Sequence, residues 1–187
     1  MNKRYWHTLN LFLIKSPMKR VEYLKKHDIF HHIGNRVMIT SRKIPLYSKL
    51  ISIGNNVWIA SGVEFITHDV THYMLNGMNL NKKFQEKIGC IEIGDNVFIG
   101  SGVKILYDVK IGSNVIIAAG SIITKDIPDN SVVAGIPGKV LSSLEEYLKK
   151  RDKIYLKNLP DNISQVVSNA CEEEVWNDFN LRRSRKN

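Results

Sequence analysis

The stretch FITHDVTHYML, Phe65 to Leu75, places His68, Asp69 and His72 within five residues of one another. Histidine changes charge near neutral pH, so it suits the removal of a proton from an attacking hydroxyl or amine. A carboxylate beside a histidine can orient the imidazole, but neighbouring side chains of an extended chain leave on opposite faces. Asp69 therefore orients His68 only if the chain turns there; otherwise it is a loop cap or a solvated carboxylate. His72 is the second candidate base, or a residue that touches substrate. A zinc site of the three-histidine kind needs a third ligand. His31 and His32 lie ahead of the first repeat and are poorly placed to provide it, so no metal is expected. By type alone a histidine on a surface loop carries no role, and its weight comes from what positions it.

What positions it is a repeat. Ile93, Ile99, Ile105, Ile111, Ile117 and Ile123 recur at six-residue steps. Val97, Val103, Val109 and Val115 sit four residues after an isoleucine, and Ser121 and Ile127 continue that second series. Neither a helix nor a strand has this period. A short strand plus a tight corner does, and three such units close a triangular coil of eighteen residues, with Gly, Asn, Asp and Ser at the corners. Coils stack about 4.8 Å apart with strands parallel up the stack. The spacing predicts three inner ladders: Ile93, Ile111 and Asp129; Ile99 and Ile117; Ile105 and Ile123. Upstream, Ile33, Ile39 and Pro45, then Ile53, Ile59 and Phe65, keep the step, with Val37, Val57 and Val63 as companions. The step from Pro45 to Ile53 is eight, so two extra residues sit at a corner. The step from Phe65 to Ile93 is 28, so 22 residues bulge from a corner between positions 66 and 90. Long excursions from compact scaffolds are usually functional or disordered, and this one carries both histidines. Cys90 closes it and is expected to be buried structure. Sheet faces carrying Val57, Val97 and Trp58 offer area for a partner.

The flanks read as helices. Leu9 to Ile14 forms one face of an N-terminal helix, too short to span a bilayer. Pro17 to His27 is a second helix, capped by Ser16. Ser143 to Tyr155 is a third, with Glu145–Lys149 and Glu146–Lys150 as i,i+4 pairs. Ser164 to Phe179 is a fourth, with Val167, Ala170 and Val175 as its apolar positions. The closing LRRSRKN is a solvated basic tail. The chain has 187 residues, 43% hydrophobic and 24% charged, with net charge +9, which favours an anionic partner. Cys90 and Cys171 are far apart and in no CxxC pattern, as expected of a reduced, cytoplasmic protein. No aromatic-basic platform or motif suggests nucleic acid, and nothing suggests membrane insertion.

The units IGNNVWIASGV, IGDNVFIGSGV and IGSNVIIAAGS, and the ending AAGSIITKDIPDNSVVAGIPGKV, resemble the hexapeptide-repeat acyltransferases over Ile33 to Val140. The nearest likeness is to galactoside, maltose and xenobiotic acetyltransferases and to O-acetyltransferases of surface polysaccharides. The resemblance implies a mainly β protein, a left-handed parallel β-helix with N- and C-terminal helices. That hand is opposite to the usual parallel crossover. It implies three regions: a helical segment 1–30, a catalytic coil domain 31–140 with the excursion 66–90, and a helical extension 141–187. It implies a homotrimer with acetyl-CoA between neighbouring coils, His68 as the catalytic base, and transfer of acetyl to a sugar or polysaccharide-precursor hydroxyl. Ser101, Ala119, Thr124 and Lys125 match the cofactor groove. Gly120 adds room for the pantetheine arm, and Lys139 joins Lys125 as a phosphate contact. An asparagine that helps hold the substrate or the histidine in some relatives is matched here by Thr40, a departure that bears on that subsite. Alternatives are an N-acetyltransferase on an amino sugar or antibiotic, a carbonic-anhydrase-like metal enzyme, and a non-catalytic binding module.

Overall fold

The structure is a computed structural model that describes residues 3–151 and 167–184. It divides into two compact units, Met1–Tyr147 and Leu148–Asn187.

The first unit opens with α1 (Lys3–Leu13) and α2 (Pro17–Lys26). Ser16 caps α2 by accepting from the Lys19 amide, and Pro17 occupies its first turn. Val21 and Leu24 are buried, as the apolar spacing requires. α1 departs from expectation. Leu11 is its buried residue, whereas Leu9, Phe12 and Leu13 point outward.

The chain then winds through three flat faces in turn. The first holds His32–Ile33, Ile51–Ile53, Ile91–Ile93 and Val109–Ile111. The second holds Met38–Ile39, Val57–Ile59, Val97–Ile99, Val115–Ile117 and Ser131–Ala134. The third holds Glu64–Ile66, Lys104–Leu106 and Ile122–Ile123. All pairings among these strands are parallel. Successive strands move to the next face and return one level up, so the fold is a parallel β-helix. Ile53, Ile93 and Ile111 stand in register, as do Ile59, Ile99 and Ile117, and Phe65, Ile105 and Ile123. The isoleucines of these ladders are at most 2% exposed. Each is worth roughly 1.5–3 kcal/mol of burial.

Three expectations are corrected. Ile127, not Asp129, bridges Ile111. The corner after Ile123 is two residues short: Ile123 pairs with Ile105, eighteen back, but Val133 pairs with Ile117, sixteen back. Asp129 falls at the corner, where its carboxylate accepts from the Ser113 amide at 2.7 Å. Val57 and Val97 point inward, at 0% and 1% exposure, and offer nothing to a partner. The outward row of the second face is Met38, Trp58, Phe98, Ile116 and Val132, aligned rung by rung. Finally, Ile44 is the buried side chain of the first coil's last corner, one residue before Pro45.

The corner between the first and second faces shows why Asn recurs there. Asn56, Asn96, Asn114 and Asn130 all have left-handed backbones, φ +54 to +59. Their side-chain amides form a continuous ladder of 2.9–3.0 Å hydrogen bonds. Asn tolerates this conformation and also satisfies its neighbour. Beside it, a Cβ on Gly94 would lie 2.8 Å from the backbone carbonyl carbon of Gly112, which fixes glycine.

The excursion leaves after Ile66. His68–Asp69 pairs antiparallel with Lys87–Ile88, and α3 (Thr71–Gly77) fills part of the span between them. Cys90, expected to be buried, is exposed; the next residue, Ile91, supplies the inward side chain where the coil resumes.

After Ala134 the chain turns back as Lys139–Ser143, antiparallel to Ser131–Ala134. The sequence reading did not foresee this strand. α4 (Leu144–Arg151) begins one residue after the foreseen start; Ser143 caps it, exchanging hydrogen bonds with Glu146 as a capping box. The foreseen end of that helix, residues 152–155, lies outside the described residues. In the second unit α5 spans Asn169–Ser184. Its foreseen start, 164–166, and the last residues of the basic tail, 185–187, also lie outside the described residues. The apolar positions foreseen for it, Val167, Ala170 and Val175, are exposed, and Cys171 is its buried residue.

Candidate active site

The third face begins only at Glu64–Ile66. Below it the chain at Ile44–Leu46 breaks from the six-residue step. A cavity of about 400 Å³ opens there, walled by Phe30, Ile39, Ile44, Val63 and Phe65, with Arg4, Ser41, Lys43 and Glu64 as polar groups. His68 lines it; His72, Asp69 and Thr40 do not.

His68 is half-buried, and its Nδ1 is buried without a hydrogen-bond partner among the described residues. The Tyr47 ring meets it edge-on, 5.3 Å between centroids at 89°. Tyr47 has a left-handed backbone, φ +50, and lies within the two-residue insertion. Its hydroxyl donates to Glu86 Oε2 at 2.9 Å, and that bond raises the phenol's pKa above its usual value. The stem of the excursion is fixed below His68. Thr67, fully buried, donates to the Leu46 carbonyl at 2.7 Å, and the Gly89 amide donates to the Thr67 carbonyl at 2.9 Å.

Asp69 does not orient His68. One carboxylate oxygen accepts from the Thr71 hydroxyl (2.6 Å) and amide (3.1 Å), and the other accepts from Tyr107 at 2.8 Å. The Thr71 hydroxyl, then the Tyr107 hydroxyl, hold its carboxyl below the usual carboxylate range, and Lys87 adds a smaller push. Asp69 in turn raises the Tyr107 phenol. His72 lies on α3 with its ring against Tyr73, 4.2 Å between centroids, and its Nδ1 is likewise buried and unpartnered. Thr40 is committed to the scaffold, its hydroxyl donating to the Ile59 carbonyl at 2.7 Å.

The residues matched to a cofactor groove divide between the two edges of the third face. On one edge Ser61, Ser101 and Ala119 stack, with Ser61 Oγ 3.4 Å from Ser101 Oγ and the Gly120 amide donating to the Ser101 carbonyl at 2.8 Å. Gly62, Gly102 and Gly120 follow them with φ of +71, +71 and +73. A Cβ on Gly102 or Gly120 would meet nothing within 4 Å. This edge is thus an exposed row of small side chains and backbone with open space beside it. On the other edge Thr124 and Lys125 are exposed in the shortened corner. Lys139 is exposed at the start of the antiparallel return, opposite Ala134.

Tyr47, Glu86 and Tyr107 were not singled out from the sequence. The eight-residue step between Pro45 and Ile53 was the signal for Tyr47. No spacing rule signals Tyr107 or Glu86. The described residues contain no group of three or more His, Cys, Asp or Glu placed to hold a metal ion. Among them no helix is long and apolar enough to cross a membrane.

Residues 90–125 match the family model for bacterial transferase hexapeptide (six repeats). Protein CapG of Staphylococcus aureus is 41% identical over 133 residues, which span 68% of this chain and 74% of that protein. The chain belongs to the hexapeptide-repeat acyltransferase family. A maltose O-acetyltransferase from Clostridium difficile superposes with a TM-score of 0.52 at 27% identity, covering 75% of this chain and 85% of that one. A hexapeptide-repeat acetyltransferase from Vibrio cholerae superposes at 0.59, covering 76% and 89%; at 22% identity it speaks for the fold. A second structure of that protein holds acetyl-CoA. As a hexapeptide-repeat acyltransferase, this protein has the stacked-coil scaffold of those enzymes, and its excursion is the part that the repeat does not dictate.

Proposed function

We propose that this acyltransferase transfers an acetyl group from acetyl-CoA to a hydroxyl of a sugar or polysaccharide precursor, with His68 as general base. One observation carries the reading: the excursion delivers a single histidine to the wall of the cavity. The exposed small residues Ser101, Ala119 and Gly120 leave room for the pantetheine arm, and Lys125 and Lys139 suit the phosphates of CoA as point charges. Acetyl-CoA supplies a thioester whose carbonyl carbon bonds to the acceptor oxygen as the C–S bond breaks. His68 takes the acceptor's proton and gives it up to the departing sulfur. Its Nδ1 is closed off, which leaves Nε2 for this task. The apolar walls hold the acceptor and exclude water, while Lys43 and Arg4 favour an acceptor with an anionic group.

In this reading the coil is left-handed, 31–140 is the catalytic domain between the helical segments 1–30 and 141–187, and the protein is a cytoplasmic homotrimer. The aligned Met38, Trp58, Phe98, Ile116 and Val132 supply the trimer surface. The first face carries Glu92 and Lys110 outward and the third Glu64 and Lys104. The second is the apolar exception, and apolar surface of this kind is what subunits bury.

The test is a panel of glycosides and amino sugars incubated with protein and acetyl-CoA, with thiol release and product mass as readouts. Acetylated hydroxyls are expected. Acetylation confined to amines would replace this reading with the N-acetyltransferase one.

A further inference from the structure

The two insertions into the six-residue register, after Pro45 and after Ile66, are tied to each other, and His68 lies where they meet. Tyr47, in the insertion, sets its ring edge-on to His68 at 5.3 Å and donates to Glu86 on the returning limb of the excursion at 2.9 Å. Thr67, the residue before His68, is bonded to Leu46 of the same insertion. From the coil above, Tyr107 donates to Asp69, the residue after His68, at 2.8 Å. The other oxygen of Asp69 holds Thr71 at the start of α3. The Lys87 ammonium lies 4.7 Å from the centre of the Tyr107 ring. The chain is thus anchored on each side of His68, to different coils. The imidazole's own Nδ1 has no partner among the described residues, so hydrogen bonding at that atom does not set its plane.

We propose that Tyr47 and Tyr107 are positioning residues for His68. Tyr47 limits rotation of the ring by its edge contact. Tyr107 fixes the backbone of His68 through Asp69. Neither exchanges a proton with substrate. The inference rests on His68 being the base, and the experiment separates the two.

Tyr47→Phe keeps the ring and removes its tether to Glu86; Tyr107→Phe removes only the hydroxyl. In the full-length protein each is expected to lower kcat about tenfold, since misplacement of a reacting group by a fraction of an ångström is costly. The KM for acetyl-CoA and the Tm should stay at wild-type values. Glu86→Gln keeps an oxygen that accepts from Tyr47, and should stay within about twofold of wild type, whereas Glu86→Ala should match Tyr47→Phe. Wild-type kcat in both tyrosine variants would overturn the proposal. So would a fall in kcat accompanied by a lower Tm and a higher KM for acetyl-CoA, or equal losses in Glu86→Gln and Glu86→Ala. His68→Ala in the same assay isolates the premise. If it is active, the base reading fails; if it is inactive while both tyrosine variants are normal, only the positioning role fails.

Discussion

At the scale of single residues, the excursion is held by a carboxylate and a phenol in complementary ionisation states. Asp69 is kept ionised first by the Thr71 hydroxyl and then by Tyr107, and Tyr107 is kept protonated chiefly by Asp69. A depressed carboxyl contributes above the ordinary Asp pKa and loses that contribution as pH falls through its own lower value. A raised phenol contributes below the ordinary Tyr pKa and loses it as pH rises through its own higher value. The anchor should therefore be intact between about pH 4 and pH 10. Hydrogen exchange at the Thr71 amide is expected to stay protected across that window relative to Asp69→Ala. Equal exchange in the two proteins at pH 7 would show that the bond does not hold the loop. His68, which the structure places in the cavity wall, stood out in the sequence because it lay in the break of the repeat. Asp69 was legible as a carboxylate but not as a partner of Tyr107, 38 positions away, because such a contact depends on how coils stack.

At the scale of elements, the corners matter as much as the ladders. The period of six made the inner ladders readable, since inward isoleucines recur at that step. The face of each residue was less readable. Val57 and Val97 were read as outward although they are buried, because the outward positions, Glu92, Phe98, Lys104, Lys110 and Ile116, share no residue type that marks them in the sequence. The short corner after Ile123 went unseen because Asp129 still matched the step. The same logic makes the Asn ladder testable. Asn96 holds a left-handed backbone and bonds to Asn56 and Asn114. Asn96→Ala should cost about 2–4 kcal/mol, the sum of a left-handed alanine and two lost hydrogen bonds. Asn96→Gly should recover about 1–2 kcal/mol by relieving the backbone. Denaturant melts of the three proteins measure this; equal midpoints for the Ala and Gly variants would remove the backbone part of the explanation.

At the scale of the whole molecule, the coils form a prism with two charged faces and one apolar face. Phe98 sits in the middle of the apolar row and is 46% exposed in the single chain. In the trimer reading that exposure is removed by a neighbouring copy. Phe98→Lys would place a charge on every such contact, where burial of an unpaired ammonium is strongly unfavourable. Sedimentation should show wild-type trimers and Phe98→Lys monomers, with unchanged circular dichroism. A variant that stays trimeric would move the interface to another face.

The claim on which the rest depends is that the one histidine brought to the cavity is the base. Thiol release from acetyl-CoA should fall about a thousandfold in His68→Ala, the usual worth of a general base. The Kd for acetyl-CoA, measured by calorimetry on the same protein, should be unchanged, because the proposed cofactor residues Ser101, Ala119 and Gly120 are untouched. Undiminished thiol release in His68→Ala would contradict the account.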